Sequence, residues 1–136
     1  MNKCLANCST QKMTDYAWLA IRIALAVVLV LHGYQKLAGG MEMFTGMLTK
    51  LGFPAPVLMA WIVALLEFVG GLAIAIGLWT RDVAALVTIQ FVVILLFVKK
   101  FAFPASDVDL IIFAVALALT LVGAGSMSVD AKMKKS

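Results

Sequence analysis

The chain has 136 residues, of which 64% are hydrophobic and 13% charged, and it carries a formal net charge of +4. Such usage lies far outside that of soluble proteins and leaves no room for a soluble domain beside the apolar segments. A net positive charge would suggest nucleic acid in a soluble chain. Here the basic residues sit mostly at segment ends and in the C-terminal DAKMKKS, where anionic lipid headgroups attract them, so no nucleic-acid partner is expected.

Residues 1–16 have no apolar h-region and are expected to form an N-terminal tail rather than a cleaved signal. Cys4 and Cys8 stand in this tail; they could meet as a disulfide or donate two thiolates, but two ligands do not complete a zinc site, and no metal site is expected. Apolar runs then extend over Ala17 to Leu37, Val57 to Trp79, Val83 to Val98, and Leu110 to about Met127. Because ~20 helical residues cross a ~30 Å hydrocarbon core, these predict four transmembrane helices. The third run is short and borrows from residues 80–82 or from the snorkelling Lys99 and Lys100, while the fourth must continue through GAGSM to cross.

The connections fit antiparallel neighbours. Gly39 and Gly40 end the first helix, and Pro54 and Pro56 precede the second. Between them, Met43, Phe44, Met47, Leu48 and Leu51 recur at helical spacing, which reads either as a short interfacial amphipathic helix or as an irregular apolar loop. TRD forms the turn into the third helix, and Asp107 and Asp109 are placed to cap the fourth. The expected fold is thus an all-α membrane protein in which residues 17–127 form one antiparallel four-transmembrane-helix bundle, followed by a basic tail over residues 128–136. Lys3, Lys12, Arg22, Arg81, Lys132, Lys134 and Lys135 fall on the side of the termini, against Lys36, Lys50, Lys99 and Lys100 opposite, so both termini are expected in the cytoplasm.

Charged or chargeable residues inside the spans are few. At about 100° per residue, with Arg22 as origin, His32 lies near 280° and Lys36 near 320°, so the three share one face of the first helix together with Leu25, Ala26, Leu29 and Gly33. On the second helix, Ala60, Ala64, Glu67, Gly71 and Ile74 form a narrow stripe with Gly70 just outside it, and small residues there invite close approach. Side chains lean toward the N-terminus of their own helix, which brings His32 and Lys36 toward the membrane midplane and tilts Glu67 toward them. Glu67 is therefore expected to pair with His32 and Lys36, and Arg22 to sit nearer the cytoplasmic headgroups. A carboxylate at the midplane is either a functional site or a structural ion pair. Gln90 and Thr120 are expected to make interhelical hydrogen bonds.

The segments RIALAVVLVLHGYQKLAGG, LGFPAP, LLEFVGGLAIAIGLWTR and GAGSMSVD resemble successive motifs of the DoxX family of small bacterial membrane proteins. The resemblance runs from about residue 18 to 130. It implies four helices in the bacterial inner membrane and a family Arg, His-Gly, Lys and Glu set matched by Arg22, His32-Gly33, Lys36 and Glu67. Two departures are a compact connection, KKFAFPASDVD, and Ala124 where the family often has proline. The resemblance also implies a link to quinone-dependent sulfur oxidation, to membrane oxidoreductase assemblies, or to assembly chaperoning.

Three functional readings follow. The first is a membrane subunit of a redox system, in which Arg22, His32, Lys36 and Glu67 line a polar pocket for a quinone head group or a small anionic sulfur compound. The second is a non-catalytic assembly factor or partner whose buried charges fix helix register, with Gly33, Gly70 and Gly71 as packing positions. The third is a small transporter or channel, for which four helices leave little lumen unless the chain oligomerises. No resident cofactor is evident and a quinone is the candidate. One histidine and scattered methionines make no haem site, and no nucleotide-binding or serine-triad motif occurs. The partners expected are the bilayer and another membrane or redox protein.

Overall fold

The computed structural model describes residues 2–100, 102 and 104–133, with side chains from residue 10 onward; Cys4 and Cys8 therefore lie outside the described side chains. Helix α1 runs from Asn2 to Gln35, beginning well before the expected Ala17. No glycine or proline interrupts residues 2–32, so the helix continues through the expected tail, with the Thr14 hydroxyl folded back onto the Thr10 carbonyl at 2.9 Å. A wider helical turn over Lys36–Gly40 follows, and Gly39 breaks the helix there with φ 143°. Only glycine adopts that conformation cheaply, which fixes the corner at this residue. Helix α2, Met41–Lys50, is the amphipathic segment, with Leu48 buried.

Helix α3 spans Pro56–Ile76, opened by a proline whose missing N–H costs nothing in the first turn. It closes with paired bonds from Gly77 N to the Ile74 carbonyl (3.1 Å) and from Leu78 N to the Ala73 carbonyl (2.9 Å), Gly77 taking the left-handed conformation at φ 76°. Helix α4, Thr80–Val93, starts three residues later and runs on through a wide turn over Ile94–Val98. The corner between α3 and α4 is thus Gly77–Trp79, and the expected TRD turn is instead the first turn of α4. The left-handed glycine stops α3 earlier than hydropathy does.

Helix α5, Asp107–Val122, ends at Gly123 (φ 91°) rather than continuing through GAGSM, and a short helix α6 covers Val129–Met133. At 16 residues α5 is ~24 Å long at 1.5 Å per residue, short of a full crossing. Asp107 and Asp109 lie in its first turn, but no side chain caps it; Asp109 instead pairs with Lys99 across the connection. Among the described residues, three stretches are long and apolar enough to cross a membrane: Thr10–Lys50, Pro56–Ile76 and Thr80–Val98.

Cross-contacts fix the directions. Along α1 and α3, an added Cβ at Gly33 would meet Phe68, one at Gly71 would meet Leu29 and Val30, and Arg22 lies beside Gly77, so the two helices run antiparallel. Gly70 packs on Val83, Thr88 Oγ1 lies 3.5 Å from Thr120 Oγ1, and Lys99 meets Asp109, which makes α3 to α4 and α4 to α5 antiparallel as well. The apolar core gathers Leu25, Ala26 and Leu29 of α1, Ile74 of α3, Ala84, Val87 and Phe91 of α4, and Ile112, Ala116 and Leu119 of α5. Side chains facing outward, such as Leu31, Leu65, Ile89 and Ile111, are exposed and apolar, as a lipid-facing surface requires.

Candidate intramembrane polar site

The buried face of α3 consists of Ala60, Ala64, Glu67, Gly70, Gly71 and Ile74. Small residues let α1 approach so closely that an added Cβ at Gly33 would stand 2.5 Å from the Phe68 backbone nitrogen. That approach carries Glu67, 1% exposed, against the C-terminal end of α1. Its Oε2 forms an ion pair with Lys36 Nζ, while its Oε1 accepts from Gln90 Nε2 of α4 at 2.7 Å. The Lys36 ammonium also lies 4.7 Å from the ring centroid of Phe44 on α2, within cation–π reach. Two neighbouring segments thus meet the carboxylate, and α2 reaches it through Lys36. The remaining carbonyl oxygen of Gln90, Oε1, is buried without a hydrogen-bond partner.

His32 does not join this set. Its ring is half-buried one turn before Lys36 and makes no side-chain hydrogen bond among the described residues; it lines a groove of about 370 Å³ with Gln35, Lys36, Gly40, Met43, Phe44 and Met47. The expected contact to Glu67 is taken by Lys36 and Gln90. Lys36 has the longer reach, and Gln90 is presented by the neighbouring α4.

Arg22 lies at the other end of the molecule, 3% exposed. Its Nη1 donates to the Ala124 carbonyl at 2.6 Å and its Nη2 to the Met127 carbonyl at 2.8 Å, so it holds the segment after α5 rather than lining a pocket with Glu67. Next to it, Asp130 of α6 accepts from the backbone N–H groups of Trp79 (2.8 Å) and Thr80 (2.9 Å), a carboxylate capping the start of α4. The Asp130 N–H returns a bond to the Gly77 carbonyl at 2.9 Å. Ser128 is buried and bonds the Gly125 carbonyl at 2.7 Å. This clasp has no counterpart in the sequence reading. The one available signal was the SVD triplet, a Ser and an Asp spaced for turn and cap roles.

Apolar helices of membrane length joined through a buried carboxylate–ammonium pair define a small multi-pass membrane protein. The chain belongs to the DoxX family, whose model matches residues 17–100 and thus includes Arg22, His32, Lys36, Glu67 and Gln90 but not Ala124, Met127 and Asp130, the C-terminal half of the clasp. It is 32% identical over 133 residues to "Inner membrane protein YqjF" of Escherichia coli (strain K12), covering 92% of this chain and 98% of that one. It is 26% identical over 121 residues to "Putative oxidoreductase CatD" of Bacillus subtilis (strain 168), covering 88% of each. No solved structure matches the chain.

Proposed function

We propose that the chain is a subunit of a quinone- or sulfur-linked redox system in the bacterial inner membrane, folded as a four-helix bundle with both termini in the cytoplasm. One observation carries this reading: a carboxylate 1% exposed is held by Lys36, and Lys36 shares a groove with an unengaged His32. The names of the two relatives, one an inner membrane protein and one a putative oxidoreductase, agree with it.

The groove suits a quinone head group in chemical terms. Phe44, Met43 and Met47 offer flat and adaptable apolar walls, while His32 and Lys36 offer donors for carbonyl oxygens. A bound quinone would supply two-electron, two-proton chemistry. His32 would pass a proton to or from the head group, Lys36 would bind anionic character, and Glu67 would keep Lys36 oriented. The test is purification in mild detergent, organic extraction, and a search for co-purified quinone by absorbance and mass. Retention lost in His32→Ala, with the protein still folded, supports the reading; a preparation free of quinone that also fails to bind added quinone overturns it.

A second reading has its own support. Both Glu67 oxygens are engaged and the helices meet through glycines, as a register-fixing ion pair in an assembly factor would require.

A further inference from the structure

The surroundings of Glu67 differ sharply between the two ends of the molecule. Toward Arg22, the space between α1, α3 and α4 is filled by Leu25, Leu29, Ile74, Ala84 and Val87, none more than 4% exposed. Beyond them the Arg22 guanidinium is tied to two carbonyls and Asp130 caps α4. An apolar plug of this kind makes passage of a charge or proton expensive. α5 seals α4 from behind with Ile112, Ala116 and Leu119, all apolar and buried.

Toward α2 the arrangement is open. The Lys36 side chain, 20% exposed, contacts Glu67 at its tip and lines the groove beside His32 along its length. Among the described residues it is the one polar side chain common to the carboxylate's contacts and to the groove. The charged and titratable groups at Glu67 are Lys36 from the wide turn that follows α1, with His32 of α1 further out in the groove; Gln90 from α4 is neutral, and α2 contributes Phe44.

We infer that Glu67 is a one-sided proton port, exchanging protons with the α2 end of the molecule alone, through the Lys36 groove, and sealed from the end that carries Arg22 and the chain termini. A proton arriving from water in the groove adds to a Glu67 oxygen and cancels the charge that draws Lys36 inward. The ammonium, still protonated, then turns toward the groove over Phe44, and loss of the proton returns it. The inference stands on packing and not on which ligand the groove takes. Should a quinone bind there, its protons would leave and enter on that side.

Sidedness can be read by chemical labelling. In a Cys4→Ser, Cys8→Ser background, Lys50→Cys marks the α2 end and Asp82→Cys the opposite end. Glu67→Cys in oriented membrane vesicles should react with a charged, impermeant methanethiosulfonate added from the Lys50 side, and lose that reaction when Met47→Trp fills the groove. No reaction should follow addition from the Asp82 side. In case Glu67→Cys does not accumulate, the unaltered protein is treated with a cationic water-soluble carbodiimide and an amine from each side, and the adduct at Glu67 is read by mass spectrometry; it should form from the Lys50 side alone. Labelling from the Asp82 side, from both sides equally, or from neither would overturn the inference.

Discussion

Glu67 and Lys36 form an ion pair that Gln90 and Phe44 complete on either side. Glu67→Ala leaves the Lys36 ammonium without its counter-ion and the Gln90 amide without its acceptor; breaking a fully buried pair from one side costs ~3–5 kcal/mol, and the turn of Lys36 toward the groove offsets part of that. The variant should unfold at a clearly lower temperature in detergent. Replacing both partners, as in Glu67→Gln with Lys36→Met, removes the stranded charge and keeps an acceptor for Gln90, so most of the lost stability should return. A double variant that stays as unstable as the single one would mean the carboxylate serves something other than this pair. The pairing of Glu67 with Lys36 could be read from helix periodicity and from the lean of side chains on opposed helices. His32 could not be excluded that way, because depth in the membrane and angular position do not register how far a side chain reaches. The acceptors of Arg22 were invisible for a different reason: they are main-chain carbonyls 102 and 105 residues away, and a carbonyl leaves no trace in residue identity.

At the level of elements, the glycines divide by what surrounds them. Gly33 faces the Phe68 main chain at 2.5 Å from an added Cβ, and backbone cannot move aside without separating α1 from α3. Gly70 meets flexible side-chain atoms of Val83 at 3.0 Å and Leu66 at 3.3 Å, while Gly46 in α2 meets nothing within 4 Å. Alanine is favoured over glycine inside a helix by ~0.8–1.0 kcal/mol. Unfolding temperatures should therefore fall in the order Gly46→Ala, Gly70→Ala, Gly33→Ala, with Gly46→Ala at or above the parent; a stable Gly33→Ala would contradict the close approach. The existence of α1, α3, α4 and α5 followed from apolar runs and the α1–α2 corner from Gly39, whereas α6 and the start of α1 lie in segments expected to be tails. Helix ends followed less well. Gly77 stops α3 inside an apolar run, and Gly123 stops α5 before the hydropathy does, since a left-handed residue outranks a hydrophobic pattern in deciding where a helix ends.

Across the whole molecule, the two ends carry different work. The α2 end has the groove and its histidine; the Arg22 end is fastened by the clasp. Asp130→Ala removes the cap on α4, worth ~0.5–2 kcal/mol, and should lower the unfolding temperature without altering labelling of the groove. If both termini are cytoplasmic, a reporter fused after Ser136 should report the cytoplasm, and a cysteine at the exposed Lys50 should react with an impermeant reagent from outside, whereas Ser106, expected from sequence on the same side, is fully buried and unsuited to labelling. Reaction of position 81 from outside would invert the proposed orientation. None of the clasp was legible beforehand, because its bonds join a cation on the first helix, a corner in the middle and a carboxylate near the C-terminus, and no local pattern spans such separations.

The clasp also sets an order of events during synthesis. Arg22 leaves the ribosome about a hundred residues ahead of its acceptors, and at ~5–20 residues per second the wait is on the order of ten seconds. Throughout that interval the guanidinium must be kept at the headgroups or by the insertion machinery, and the α3–α4 corner stays uncapped. Only when Ala124, Met127 and Asp130 emerge can the cation be drawn in and the assembly locked. A nascent chain that stops short of them carries an unpaired arginine in the membrane.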